Sequence, residues 1–110
     1  MRVKLAKKSR IPSEQEIAPY ADALVVNEYD VVDVLAGRYR RKTVRVAQWG
    51  LIDRQTTALK EVAPGAVVDL VLEPFDMHSE VENDPLRDTL DFDADADLFL
   101  DVTVPPADEP

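Results

Sequence analysis

Four carboxylates at every second position, Asp91, Asp93, Asp95 and Asp97, are the densest set of hard oxygen ligands in this chain. Calcium takes roughly six to eight oxygens and tolerates irregular loops, so this run is the candidate metal site, with calcium as the one cofactor it suggests. It is not an EF-hand. The position that needs glycine is Ala96, and the position of the bidentate glutamate is Val102. An extended chain would put all four carboxylates on one face; a coiled one could converge them. The only histidine, His78, sits among Asp76, Glu80 and Glu82, where it could serve as a general base or as one metal ligand. No second histidine completes a zinc set, no serine sits in a nucleophile elbow, and three glycines make no phosphate loop. No catalytic residue is assigned, and a noncatalytic chain is expected.

A third chemistry is carried by cations and rings. Arg38, Arg40, Arg41 and Lys42 surround Tyr39, and Trp49 follows seven residues after Lys42. Strand aromatics that stack bases beside arginines that track phosphates would make a single-stranded nucleic-acid site. The formal charge of −9 opposes it, since a polyanion must approach an acidic domain. Charge is also segregated. Arg2, Lys4, Lys7, Lys8 and Arg10 open the chain, whereas Asp76 to Asp97 holds nine carboxylates against Arg87. The expected partner of the hairpin cations is therefore the chain's own acidic segment, with a protein partner or a parent protein's neighbouring domain as the other candidate.

These residues need elements to hold them. Tyr29 to Leu35 and Thr43 to Trp49 interleave apolar and charged residues around Gly37, which reads as a hairpin. Within Ala23 to Leu35 the apolar phase slips by one residue, so a β-bulge is expected near Val31 and Val32. Arg2 to Lys8 alternates as a first strand. Ser13 and Glu16 have capping-box spacing for one helical turn that Pro19 ends. Gly50 to Gly65 fits a short edge strand or a helical turn. Ala66 to Glu73 is a fourth strand ended by Pro74, and Leu98 to Val104 a fifth. Between them Asp76 to Asp97 reads as a long polar loop, with a turn of helix near Asp84 to Leu90.

The expectation is an all-β chain, a small five-stranded Greek-key barrel of OB type, with a compact β-sandwich as the alternative. One domain spans residues 1–104, followed by an acidic tail at 105–110. The succession Tyr29 to Val34, Gly37, Val44 to Val46, Pro64-Gly65 and Val68 to Leu72 resembles netrin-like and tissue-inhibitor-like OB domains, although the cysteines that staple many of those are absent here. Ile11-Pro12 to Tyr20, with Glu73-Pro74-Phe75-Asp76, resembles uncharacterised modules that accompany bacterial cell-envelope polysaccharide-modifying proteins. An excised domain of that kind would belong to the envelope; as written the chain stays where it is made. At 110 residues, 45% hydrophobic and 32% charged, it is long enough for one core. No apolar run reaches the roughly 20 residues of a membrane span.

Three functions remain as expectations. One is a noncatalytic interaction or accessory domain whose contact surface is Arg38 to Lys42 with Trp49. The second is a small cation- or ligand-binding barrel closed by the acidic 76–97 loop. The third is the nucleic-acid module.

Overall fold

The computed structural model describes residues 1–35, 37–91 and 96–103. Asp93 and Asp95, Val104 of the fifth predicted strand and the 105–110 tail lie outside the described residues. The chain is all-β, with one eight-stranded sheet: β1 (Arg2–Lys7), β2 (Ala23–Asp33), β3 (Thr43–Ile52), β4 (Gln55–Thr56), β5 (Val67–Asp69), β6 (Leu72–Pro74), β7 (Leu86–Arg87) and β8 (Leu98–Asp101). Its main path runs β5-β1-β2-β3-β8-β6, with β7 beside β2 and β4 beside β3. The hydrogen-bonded path is open, because β5 and β6 do not pair. Those two end strands are nevertheless neighbours in sequence. Between them Leu70 N donates to Met1 O at 2.8 Å and Val102 N to Val71 O at 2.8 Å, so residues 67–74 border β1 at one end and β8 at the other. The single fourth strand read from the sequence is thus two short ones, broken where Leu70 and Val71 change neighbours.

Pairing is antiparallel for β1 with β2 and for β2 with β3, and parallel for β3 with β8. Arg2 faces Asp33 and Val3 faces Val31, leaving Val32 as the extra residue of a bulge at the place the phase slip points to. A second irregularity lies between Ala23 and Leu24, opposite Leu51 and Trp49, with Gly50 as the extra residue. A Cβ on Gly50 would stand 3.2 and 3.3 Å from the two Val25 methyls, so the close approach of the strands there favours glycine, and a side chain would make Val25 give way.

Ser13 caps the helix α1 (Glu14–Ile17), with Glu16 N donating to its hydroxyl and Ser13 N to the Glu16 carboxylate, the full capping box. Gly50 to Gly65 contains both readings it allowed. After β3 comes a two-residue turn, Asp53-Arg54, both with positive φ, then β4, then a 3-10 turn at Ala58–Glu61. The acidic stretch departs from the long polar loop expected of it. Phe75–Met77 and Ser79–Val81 are 3-10 turns, and the region read as a turn of helix holds β7.

That difference explains why β2 and β3 are apolar on both faces. On the inner face Val3, Leu5, Tyr29, Val44, Val46 and Leu70 form one cluster. On the outer face Leu24, Ala47 and Leu100 pack with Val81, and Phe75, Trp49, Leu86 and Leu98 pack around them. The acidic stretch is a cover pinned by its apolar residues. Strands buried on both sides read as near-continuous hydrophobic runs, and the cover is what buries the second side here. No helix among the described residues is long and apolar enough to cross a membrane.

Candidate functional site

β2 and β3 send three polar side chains to the inner face, where alternation otherwise places valine. Asn27 and Tyr29 share the phase of Val25 and Val31, and Gln48 shares that of Val44 and Val46. They form one hydrogen-bonded chain. Gln48 Oε1 accepts from Tyr29 Oη at 2.6 Å and from Asn27 Nδ2 at 3.1 Å, while Gln48 Nε2 donates to Asp101 Oδ2 at 2.9 Å. Reversing the Gln48 amide would face its nitrogen with the Asn27 NH2 and its oxygen with the Asp101 carboxylate, so the network dictates the orientation. Asn27 Oδ1 accepts from Ser9 N at 2.9 Å, and the Ser9 hydroxyl donates to the Val26 carbonyl and accepts from Thr89 N. Among the described residues no buried side-chain nitrogen or oxygen lacks a partner.

Above this network lies a cavity of about 390 Å³. Tyr29, Gln48 and Asp101 line it with polar groups, as do Thr57 and Thr103. Leu59 and Val62, beside the 3-10 turn, form apolar wall with Leu70 and Val68. The 3-10 turn is held over the sheet by Thr57, which caps it through Leu59 N and donates its hydroxyl proton to the Trp49 carbonyl at 2.7 Å. Lys8 Nζ donates to the Leu59 carbonyl at 3.2 Å from the other side. Burial pushes the Tyr29 hydroxyl up to about 12, with the Asp101 charge adding to the rise and the Gln48 hydrogen bond opposing it. Tyr29 therefore stays a neutral donor at physiological pH. The geometry suits orientation of a ligand, because each polar group is already engaged with a neighbour and is fixed in place.

The residues singled out by sequence fall elsewhere and are dispersed. Arg38 to Lys42 and Trp49 lie toward opposite ends of β3, about 20 Å apart for the six strand steps from Thr43 to Trp49. They do not form one surface. Tyr39 stacks edge-on against Phe99, ring centres 5.6 Å apart, and its hydroxyl donates to the Thr43 carbonyl at 2.6 Å. Arg38, Arg40, Arg41 and Lys42 are exposed. Trp49 is half-buried against the outer cluster and also lines the cavity.

Two of the cations do meet the acidic segment. Arg41 Nε pairs with Asp97 Oδ2 at 3.2 Å. Arg45 is buried on the outer face, where Nε pairs with Glu28 at 3.1 Å, Nη2 donates to the Asp91 carbonyl at 2.7 Å and Nη1 stands 3.9 Å from Asp88. Of the four candidate metal ligands, Asp97 thus faces a guanidinium and Asp91 is exposed. Among the described residues no three His, Cys, Asp or Glu side chains are grouped to hold a metal.

Of the carboxylates that flank His78 in sequence, Glu80 does meet it, and the second partner is Glu73, on β6. The imidazole Nδ1 meets Glu80 at 2.6 Å and Nε2 meets Glu73 at 2.8 Å. The hydrogen bond to Glu80 leads in raising the imidazole above its usual range, burial opposes it and Glu73 adds to the rise. With each ring nitrogen against a carboxylate, His78 ties β6 to the Ser79–Val81 turn.

Asn27, Gln48, Ser9 and Asp101 were not singled out by their residue types. Their signal is positional, polar side chains in the phase of a buried valine row. The chain matches no protein-family model, no curated protein and no solved structure, so the geometry alone carries the functional reading.

Proposed function

We propose that this chain is a noncatalytic binding module on an OB-type barrel, and that its ligand site is the cavity over Tyr29, Gln48 and Asp101. The barrel reading is supported by the order β1-β2-β3-β8 together with the 67–74 segment, which borders both ends of that order, and by the parallel pairing of β3 with β8. The observation that carries the function is the cavity itself. At about 390 Å³ it falls in the size class of small-ligand sites, and it combines apolar walls with a few fixed polar groups. Val81 and Leu86 of the acidic segment pack on the opposite face of β2 and β3, and none of that segment's described residues lines the cavity.

A fragment screen followed through backbone amide resonances tests the reading. Hits are expected to shift Gln48, Leu59 and Leu70 together, and a Val62→Phe variant, which fills the cavity, is expected to keep the fold and lose those shifts. Fragments that perturb only Arg38 to Lys42 would move the site to the hairpin tip and overturn the assignment.

A further inference from the structure

Building on that reading, we propose that the cavity takes a primary alkylammonium group, its hydrocarbon against Leu59, Val62 and Leu70 and its nitrogen at the Asp101 carboxylate. Among the described residues Asp101 is the only charged one lining the cavity. Its two oxygens each accept one neutral hydrogen bond, Oδ2 from Gln48 Nε2 and Oδ1 from Thr103 N, both at 2.9 Å. Those bonds fix the carboxylate without neutralising it. Among the described residues no Lys or Arg pairs with it, although Arg2, Arg10, Arg41 and Arg45 all find carboxylates elsewhere. A half-buried carboxylate has roughly four lone-pair sites, so about two stay available for a donor from the cavity.

The cavity therefore holds an oriented negative charge that no Lys or Arg among the described residues offsets. A phosphate or carboxylate ligand would meet that charge with no cation to balance it. An ammonium suits the two remaining acceptor positions, one on each oxygen, because it is a compact point charge with three rotatable donors and needs no fixed fork geometry.

Three ligands of equal length, hexylammonium, hexanol and hexanoate, separate this from the broader reading. Titrated into the whole chain, hexylammonium is expected to shift Gln48, Leu59, Leu70 and Asp101 amides, hexanol to bind at least about tenfold more weakly, and hexanoate to leave them unmoved. Equal binding of hexylammonium and hexanol would overturn the ammonium assignment and leave the cavity as an apolar-ligand site. Silence from all three at those amides would end both readings. An Asp101→Asn variant is expected to lose the preference for hexylammonium over hexanol; since that substitution also disturbs Gln48, the unsubstituted series decides if the variant does not fold. A lysine derivative blocked at both backbone ends distinguishes the sources: affinity equal to hexylammonium assigns a partner's lysine, and weaker affinity a free amine.

Discussion

The two faces of the β2–β3 pair are both buried and both contain polar side chains, yet they solve the burial problem in different ways. The outer face carries an ion pair, Arg45 with Glu28, sealed beneath the acidic cover. On the inner face the polar groups are Asn27, Tyr29 and Gln48, a mainly neutral network that ends on one carboxylate and borders a cavity. A buried charged pair whose guanidinium also bonds the Asp91 carbonyl holds two layers together. An open network with one unbalanced charge is suited to receive something from outside. Under the proposed reading, the outer face is structural and the inner face binds.

Arg45→Met is the most damaging change this division predicts. It keeps the stem's bulk but leaves Glu28 as a mostly buried carboxylate without its guanidinium, and frees the Asp91 carbonyl that ties the acidic cover. Breaking one partner of a buried pair costs about 3 kcal/mol, read as a lower urea midpoint. The double variant Arg45→Met with Glu28→Leu is expected to recover much of the loss, because no lone charge remains. Gln48→Leu strands the Tyr29 hydroxyl, the Asn27 amide and one Asp101 oxygen, but the cavity lets water reach some of them, so about 1–2 kcal/mol is expected. If Gln48→Leu proves more damaging than Arg45→Met, the division between the faces is reversed.

Gly50→Ala probes the boundary where the bulge lets β3 cross close to β2. The new methyl meets Val25 at 3.2 Å and Ile11 at 3.4 Å. Overpacking of about 1 kcal/mol is expected, relieved in a Val25→Ala background, with the thermal melt as the readout.

How much of this could be read from the chain follows from where each determinant lies. The bulge at Val32 is legible because a bulge shifts apolar phase within one strand. The capping box at Ser13 is legible because donor and acceptor are three residues apart. Asp53-Arg54 is not. Neither residue is the glycine that positive φ favours, and the turn is held from a distance, Asp53 N by the Asp22 carboxylate and Arg54 N by the Ala21 carbonyl. The acidic stretch looked solvated because its charge hides Phe75, Val81 and Leu86, whose burial depends on a sheet face the stretch does not itself contain. The inner-face network beside the cavity is the least legible part. Asn27 and Gln48 look like ordinary strand polars until pairing puts Val25 opposite Gln48 and Asn27 opposite Val46, which turns both inward.

The smallest effect expected is the one that isolates the cover from the cavity. His78 bridges Glu73 on β6 and Glu80 on the turn that carries Val81 into the outer cluster. Its imidazole is raised above the ordinary 6.5, chiefly by the hydrogen bond to Glu80, and the Glu80 carboxyl is lowered from 4.5, chiefly by His78. A raised histidine contributes stability that is fully present below 6.5 and fades as pH climbs through its folded value. A lowered carboxyl contributes stability that is present above 4.5 and fades as pH falls through its folded value. The clamp is therefore strongest between those limits, and mild alkalinity loosens it first. The melting temperature is expected to fall slightly from pH 6 to pH 8, His78→Gln to flatten that slope, and amide exchange to rise around Val81 while Gln48 and Leu59 keep their protection. Exchange rising equally at Gln48 would mean that the two faces open as one unit. Their separate roles would then be a matter of chemistry alone, with no difference in local stability between cover and cavity.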